Sequence, residues 1–329
     1  NTPEIIFKYS KELSKNRLGL SQWLFDTKNP LTARVFVNRL WQMHFGRGLV
    51  SSSDDFGNQG GLPSHPELLD WLSQYFVETN WDIKKLHKKI LSSATFQQSS
   101  KIRSNLEDID PENSFLLRGP RYRMSAEMIR DNALKISGLL VPKIGGKSVY
   151  PYQPEGLWDL SDKSWRYRYK HDTGDGLYRR SLYTFWKRSS PPPSMIIFDT
   201  PNRDLCAVKR TLTSSPLQAL VMLNDPQYIE AARVMAEKSI LSDLNSIDQK
   251  LGLIFRKITG RVIKDQELET LKRFYSEERE KFSKSPKKAI AYLTTGESSR
   301  NRITNISDTA ALATVINVIM NTAEAITIN

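Results

Sequence analysis

Cysteine is nearly absent from this chain of 329 residues, Cys206 being the single one. One thiol excludes an internal disulfide, a cysteine-rich zinc site and an iron–sulfur cluster held by this chain alone. The sequence has no Cys-x-x-Cys-His, so a covalently attached c-type haem is excluded from it too. Histidine is scarce. His44, His65, His87 and His171 share no ligand spacing, which leaves no compact metal motif and metal content otherwise open. Also missing are the glycine-rich dinucleotide fingerprint, the Walker phosphate loop, His-Glu-x-x-His and Gly-x-Ser-x-Gly. No apolar run reaches the roughly 18 residues of a transmembrane helix. The stretch 310–320 comes nearest and is broken by Thr314 and Asn317. Repeats and low-complexity tracts are absent. The chain starts Asn1-Thr2-Pro3 with no Met and no signal peptide, as expected of a processed product or an excised domain.

What is present is positive charge. Lys and Arg number 48 against 36 Asp and Glu, a net charge of +12. Such a balance suits an anionic partner: nucleic acid, acidic polysaccharide, phosphate or sulfate groups, or an acidic protein. Hydrophobic residues make 39% and charged residues 26%, the proportions of a globular chain.

Helical signals occupy both ends. Asn29-Pro30 opens a helix over 31–44, Ser64-His65-Pro66-Glu67 reads as a capping box, Asp82 caps a third helix, and a fourth runs from Ser125 to Gly138. Ser215-Pro216-Leu217-Gln218 reads as a second capping box, and Asp225-Pro226 ends one helix and starts another. Further helices fit 247–258, 265–282, 286–293 and 308–320, with the Glu/Lys/Arg-rich stretch 264–288 as a solvated face. Between the ends, residues 139–212 lose the helical period and are punctuated by Gly and Pro, with room for a short strand around 181–186. An irregular stretch of that length points to function.

Three groups of residues invite chemistry. In the first helix, Arg34, Asn38 and Arg39 sit among apolar neighbours and read as a structural network. Glu127 and Asp131 lie at i and i+4 on one helical face with Arg130 between them, and Arg121 and Arg123 arrive just before. Paired carboxylates of this kind hold a raised-pKa proton, orient an arginine or ligate a cation. The densest group spans 165–210, with Arg166, Arg168, His171, Tyr178, Arg179, Arg180, Trp186, Lys187, Arg188, Asp199, Arg203 and Arg210. Arginine forks bind sulfate, phosphate and carboxylate bidentately, and aromatic rings beside them stack on sugars. A buried structural network or an interface explains the same residues. His65 reads as structural. Cys206 reads as a buried inert thiol, although Lys209 and Arg210 stand close enough in sequence to activate it.

Taken together, Asn38-Arg39-Leu40-Trp41, Phe45-Gly46-Arg47-Gly48-Leu49-Val50, Ser64-His65-Pro66-Glu67, Met128-Ile129-Arg130-Asp131, Tyr150-Pro151-Tyr152-Gln153-Pro154, Tyr178-Arg179-Arg180-Ser181-Leu182-Tyr183 and Leu223-Asn224-Asp225-Pro226 resemble the planctomycete PSD-one family, domain of unknown function 1553. Gly296-Glu297-Ser298 and the closing helix are similar to that family's C-terminal end. The resemblance implies a C-terminal module of larger exported proteins, a periplasmic or cell-surface location, and haem c on an upstream domain of the parent. It carries no established reaction.

The expectation is a mainly α-helical fold with an irregular, aromatic- and arginine-rich insertion. Its N-terminal helical region covers 1–138, the insertion 139–212 and the C-terminal helical region 213–329, all forming one compact unit. The leading function is an envelope module binding an anionic polysaccharide or a sulfated or carboxylated small molecule, as the substrate-handling component of a cytochrome-linked oxidoreductase. Glu127, Asp131, His171 and Asp199 are its acid–base candidates. Arg123, Arg130, Tyr178, Arg179, Arg180, Trp186, Lys187, Arg188 and Arg203 are its ligand contacts, with Trp158 as a further stacking ring. No cofactor is expected on this chain. The rivals are a scaffold domain docking a partner envelope protein and, behind it, nucleic-acid binding, for which no recognised motif accompanies the charge.

Overall fold

The computed structural model describes residue 4 and residues 6–101, 108–159, 168–301 and 305–328; Trp165 and Arg166 of the dense basic group lie outside the described residues. The chain forms two compact units, one of Asn1–Tyr122 with Ile328–Asn329, the other of Arg123–Thr327. Among the described residues it is mainly α, with 12 α-helices and a single pair of two-residue strands, β1 (Tyr122–Arg123) and β2 (Thr327–Ile328). The structural boundary thus falls at Arg123 and not at residue 139, because the helix over 126–137 packs with the C-terminal helices.

The first unit holds α1 (Arg17–Leu24), α2 (Thr32–Phe45), α3 (Pro66–Glu78) and α4 (Ile83–Leu91). Asn29 Oδ1 accepts from the main-chain N–H of Leu31 and Thr32, and Asp82 accepts from Lys85 N, so both start signals act locally. Val37, Leu40 and Trp41 of α2 meet Leu69, Leu72 and Phe76 of α3 and Leu86 and Ile90 of α4. The box at Ser64 does not close. Ser64 gives both its N–H and its hydroxyl to Leu49 O, and His65 takes the cap position without a side-chain bond to the helix N-terminus, its Nδ1 lying 3.0 Å from Ser64 Oγ. Asn38 is fully buried and spans the turn after α2, donating to Val50 O and accepting from Val50 N. Arg34 instead pairs with Asp70, and Arg39 is exposed.

The second unit holds α5 (Ala126–Ser137), α6 (Pro193–Ile197), α7 (Pro216–Asn224), α8 (Pro226–Ile240), α9 (Ile247–Thr259), α10 (Asp265–Lys284), α11 (Pro286–Leu293) and α12 (Ile306–Met320). At its centre α8 lies against α12. Ala231, Ala232 and Ala236 of α8 and Ala310, Ala311 and Ala313 of α12 are all fully buried. Methyl side chains let two helix backbones approach, and Leu312, Val315 and Ile316 fill the space around them. α10 has no buried residue and is the solvated face its charges predict. The second capping box also fails: Ser215 makes no side-chain cap, and Gln218 donates to Ile197 O.

Residues 139–212 are mostly irregular, with two 3-10 turns, Gly174–Tyr178 and Ser181–Tyr183, besides α6. No strand forms among the described residues around 181–186. The segment makes isolated parallel bridges, Val141 with Arg179 and Val149 with Thr184, because Ser181 N is drawn to a side chain of α5.

Two consequences are measurable. Ala232→Leu forces a four-carbon side chain into a closed interface and should cost about 1–3 kcal/mol in urea unfolding; an unchanged midpoint would contradict the packing. Arg261 grips Glu267 through two bonds of 2.7 and 2.8 Å and also reaches Glu324, and those hydrogen bonds hold the Glu267 carboxyl down at about 2. A depressed carboxyl stabilises the fold above its ordinary 4.5 and loses that contribution as pH falls toward 2. Glu267→Gln should therefore flatten the acid limb of the stability–pH curve in that interval.

Candidate functional site

The capping of α5 follows from its own residues. Ser125 accepts from Met128 N at the start, and Gly138 takes the left-handed conformation at the end. The helix so placed points its polar residues at the irregular segment, where they make direct bonds. Arg130, 3% exposed, donates to Arg179 O (2.8 Å), Leu177 O (2.6 Å) and Gln227 Oε1, and lies 3.8 Å from Asp131. Asp131 Oδ1 accepts from both the N–H and the hydroxyl of Ser181, each at 2.7 Å. Glu127 accepts from Arg210 at 2.8 Å. Burial alone would raise the Glu127 carboxyl, but the Arg210 hydrogen bond and its charge bring it below its ordinary value.

Asp199 belongs to a different group. It sits at φ +62° and accepts from Thr213 N and Oγ1, both at 2.8 Å, and from Arg123. Arg123 also donates to Thr213 O and Met124 O, so the pair pins residue 213 beside α6. His171 meets neither group. Its Nδ1 lies 2.9 Å from Asp172 O and 3.3 Å from Glu297. The four acid–base candidates thus have four different sets of partners.

The basic residues divide sharply. Arg179 is 5% exposed and turned inward, where it donates to the carbonyls of Lys143, Gly145 and Lys147 and lies 3.9 Å from the Tyr183 ring. Its neighbour Arg180 is exposed, as are Arg188, Arg203 and Lys209. Among the described residues none of these four has a carboxylate at salt-bridge distance. Arg203 rests over Trp186 at 4.6 Å, with Trp186 Nε1 donating to Asn202 O, and Lys187 rests over the buried Trp158 at 4.5 Å. Tyr178, read as a stacking ring, is buried with its hydroxyl on Glu230. Cys206 is exposed, contrary to the buried thiol expected.

The most enclosed polar group went unread in the sequence. Glu230, Arg233 and Glu237 of α8 are at most 1% exposed. Arg233 bonds Glu237 at 2.6 Å, lies 3.6 Å from Glu230 and donates to Ser298 O. Glu230 accepts from Tyr178 (2.9 Å), Tyr152 (3.1 Å) and Ser298 N (2.6 Å). Burial first, and then the Glu230 charge, push both phenols above their ordinary range. Gly296 is required here: at φ +88°, a Cβ would stand 2.2 Å from Glu230 Cδ. The signal lay in three charges at i, i+3 and i+7 on a helix otherwise rich in alanine.

A family model, PSD1, described as a protein of unknown function (DUF1553), matches residues 16–275. The chain belongs to this family. The PSD1 match takes in α1–α9, the first half of α10 and the whole irregular segment, while Gly296, Glu297 and Ser298 lie beyond it. Comparison with curated proteins and with solved structures yields no match. Among the described residues, no group of three His, Cys, Asp or Glu side chains is arranged to hold a metal ion.

The buried triad predicts its own energetics. Arg233→Met strands two buried carboxylates and should cost about 3–5 kcal/mol in chemical unfolding. Arg180→Met, on the exposed side, should stay within about 0.5 kcal/mol of the parent. Equal effects would refute the division.

Proposed function

We propose that this PSD1 protein is an envelope module that binds an anionic polysaccharide on the basic, aromatic surface of residues 178–210. The observation that carries this reading is the exposure of Arg180, Arg188, Arg203 and Lys209 without carboxylate partners among the described residues. Planar guanidinium groups grip sulfate or carboxylate through two parallel hydrogen bonds. Trp186, held by Asn202 and already faced by Arg203, offers an apolar ring beside those forks. Glu127, Asp131 and Asp199 are each engaged by an internal donor, which supports binding and positioning over acid–base work by this group.

In this reading the module sits in the periplasm or at the cell surface and presents its polymer to a cytochrome c domain or another envelope protein. Any haem belongs to that partner, since this chain has no attachment motif and its one cysteine stands alone. A scaffold role draws support from Arg130 and Arg179, whose terminal guanidinium nitrogens are turned inward onto main-chain carbonyls.

Dextran sulfate is the test polymer. Trp fluorescence titration of the intact chain should show saturable binding that weakens steeply with salt. The double variant Arg188→Ala/Arg203→Ala should lose about tenfold or more in affinity while melting like the parent. Binding that ignores both salt and the double substitution would refute the proposal; no saturable binding at all would favour the scaffold.

A further inference from the structure

The smaller unit contains a cavity of about 260 Å³ that the basic surface of residues 178–210 does not use. Its floor is apolar. Trp41 and Phe45, stacked 4.1 Å apart on α2, and Leu49 are all buried and line it. Arg47, Arg118 and Arg121 line it as well, Arg121 being exposed and the other two half-buried. Against these three cations stands one lining carboxylate, Glu112, which is taken by Arg47. Among the described residues neither Arg118 nor Arg121 has a carboxylate at salt-bridge distance.

The walls are held in place before any ligand arrives. Arg118 donates Nη1 to Asp110 O (3.1 Å) and Nη2 to Pro111 O (2.8 Å), which fixes its guanidinium plane. Its main chain is strapped on both sides by Asn113, which accepts from Arg118 N and donates to Arg118 O. The wall at Leu49 is tied through Val50 to the buried Asn38. Ser100 and Ser114 add hydroxyl groups to the lining that make no hydrogen bond within the described residues. The lining thus combines buried aromatic side chains with charged and hydroxyl groups, and the cavity is smaller than the roughly 300–1,000 Å³ of drug-sized ligand sites. This cavity suits a single ring.

We propose that the cavity binds a small hydroxylated ring acid, its carboxylate on Arg121 and Arg118, its hydroxyls on the two serines and its C–H face on Trp41 and Phe45. The positive charge of the lining selects an acid over the neutral sugar, since the guanidinium pair gains an ion pair between two full charges with the first and only hydrogen bonds to neutral oxygens with the second. This site shares no residue with the polymer-binding surface proposed above and stands without it.

Calorimetric titration of the intact chain with sodium glucuronate, and with glucose as the neutral analogue, tests the assignment. Saturable glucuronate binding is expected, at least about tenfold tighter than glucose. Arg121→Ala should weaken it about tenfold and Arg121→Glu should remove it, both with parental melting curves, since Arg121 is exposed and has no carboxylate at salt-bridge distance among the described residues. The Arg188→Ala/Arg203→Ala variant should bind glucuronate like the parent, and Arg121→Ala should bind dextran sulfate like the parent. Equal affinity for glucose and glucuronate, no binding of either, or indifference to both Arg121 substitutions would overturn the proposal.

Discussion

A buried guanidinium needs acceptors for its terminal N–H groups, and in the larger unit this requirement ties the irregular chain to its helices. Arg130, Arg179 and Arg233 are each at most 5% exposed. Each directs N–H groups at main-chain carbonyls: Arg130 at residues 177 and 179, Arg179 at 143, 145 and 147, Arg233 at 298. Segments with neither helix nor sheet have carbonyls that lack ladder partners, and a planar fork with five donors satisfies several at once. The described parts of this segment are therefore held by side chains together with a few main-chain bonds, such as Val141 N to Tyr178 O and Val149 N to Tyr183 O.

The counter-charges differ in each case. Arg233 lies between two glutamates of its own helix, and Arg130 has Asp131 at 3.8 Å. Arg179 has a tyrosine ring and carbonyl dipoles, with no carboxylate at salt-bridge distance among the described residues. α8 carries both kinds of interaction. One set of its residues, the alanines, allows close approach to α12, while Glu230, Arg233 and Glu237 tie it to Tyr152, Tyr178 and the turn at Gly296. Deleting one member of such a network leaves its partners charged and dry, which is why the triad outweighs any surface pair.

This separates structural from available charge. Arg179 faces inward and holds the fold, whereas Arg180, Arg188, Arg203 and Lys209 face outward, although all come from one short stretch. The smaller unit repeats the pattern: Arg34 and Arg47 are paired with acids, while Arg121 is exposed.

Much of the helical framework was legible because its signals are local. Ser125 and Gly138 bound α5, and Asp82 and Asp225 cap the helices after them, within three residues of the groups they satisfy. The mainly α class and the irregular middle followed from period and punctuation alone. The two capping boxes failed for a long-range reason, since Ser64 is drawn to Leu49 and Gln218 to Ile197. The site was legible as a composition and not as a geometry. Glu127, Arg130 and Asp131 do meet residues 177–210, but the sequence could not separate Arg179 from Arg180, adjacent residues of identical chemistry with opposite exposure. Nor could it join Glu230 to Ser298, 68 residues away. Caps and periods are satisfied within a turn of helix, so sequence alone determined them; the partners of a buried charge come from distant segments, so only the tertiary structure decided which arginines hold the fold and which are left exposed.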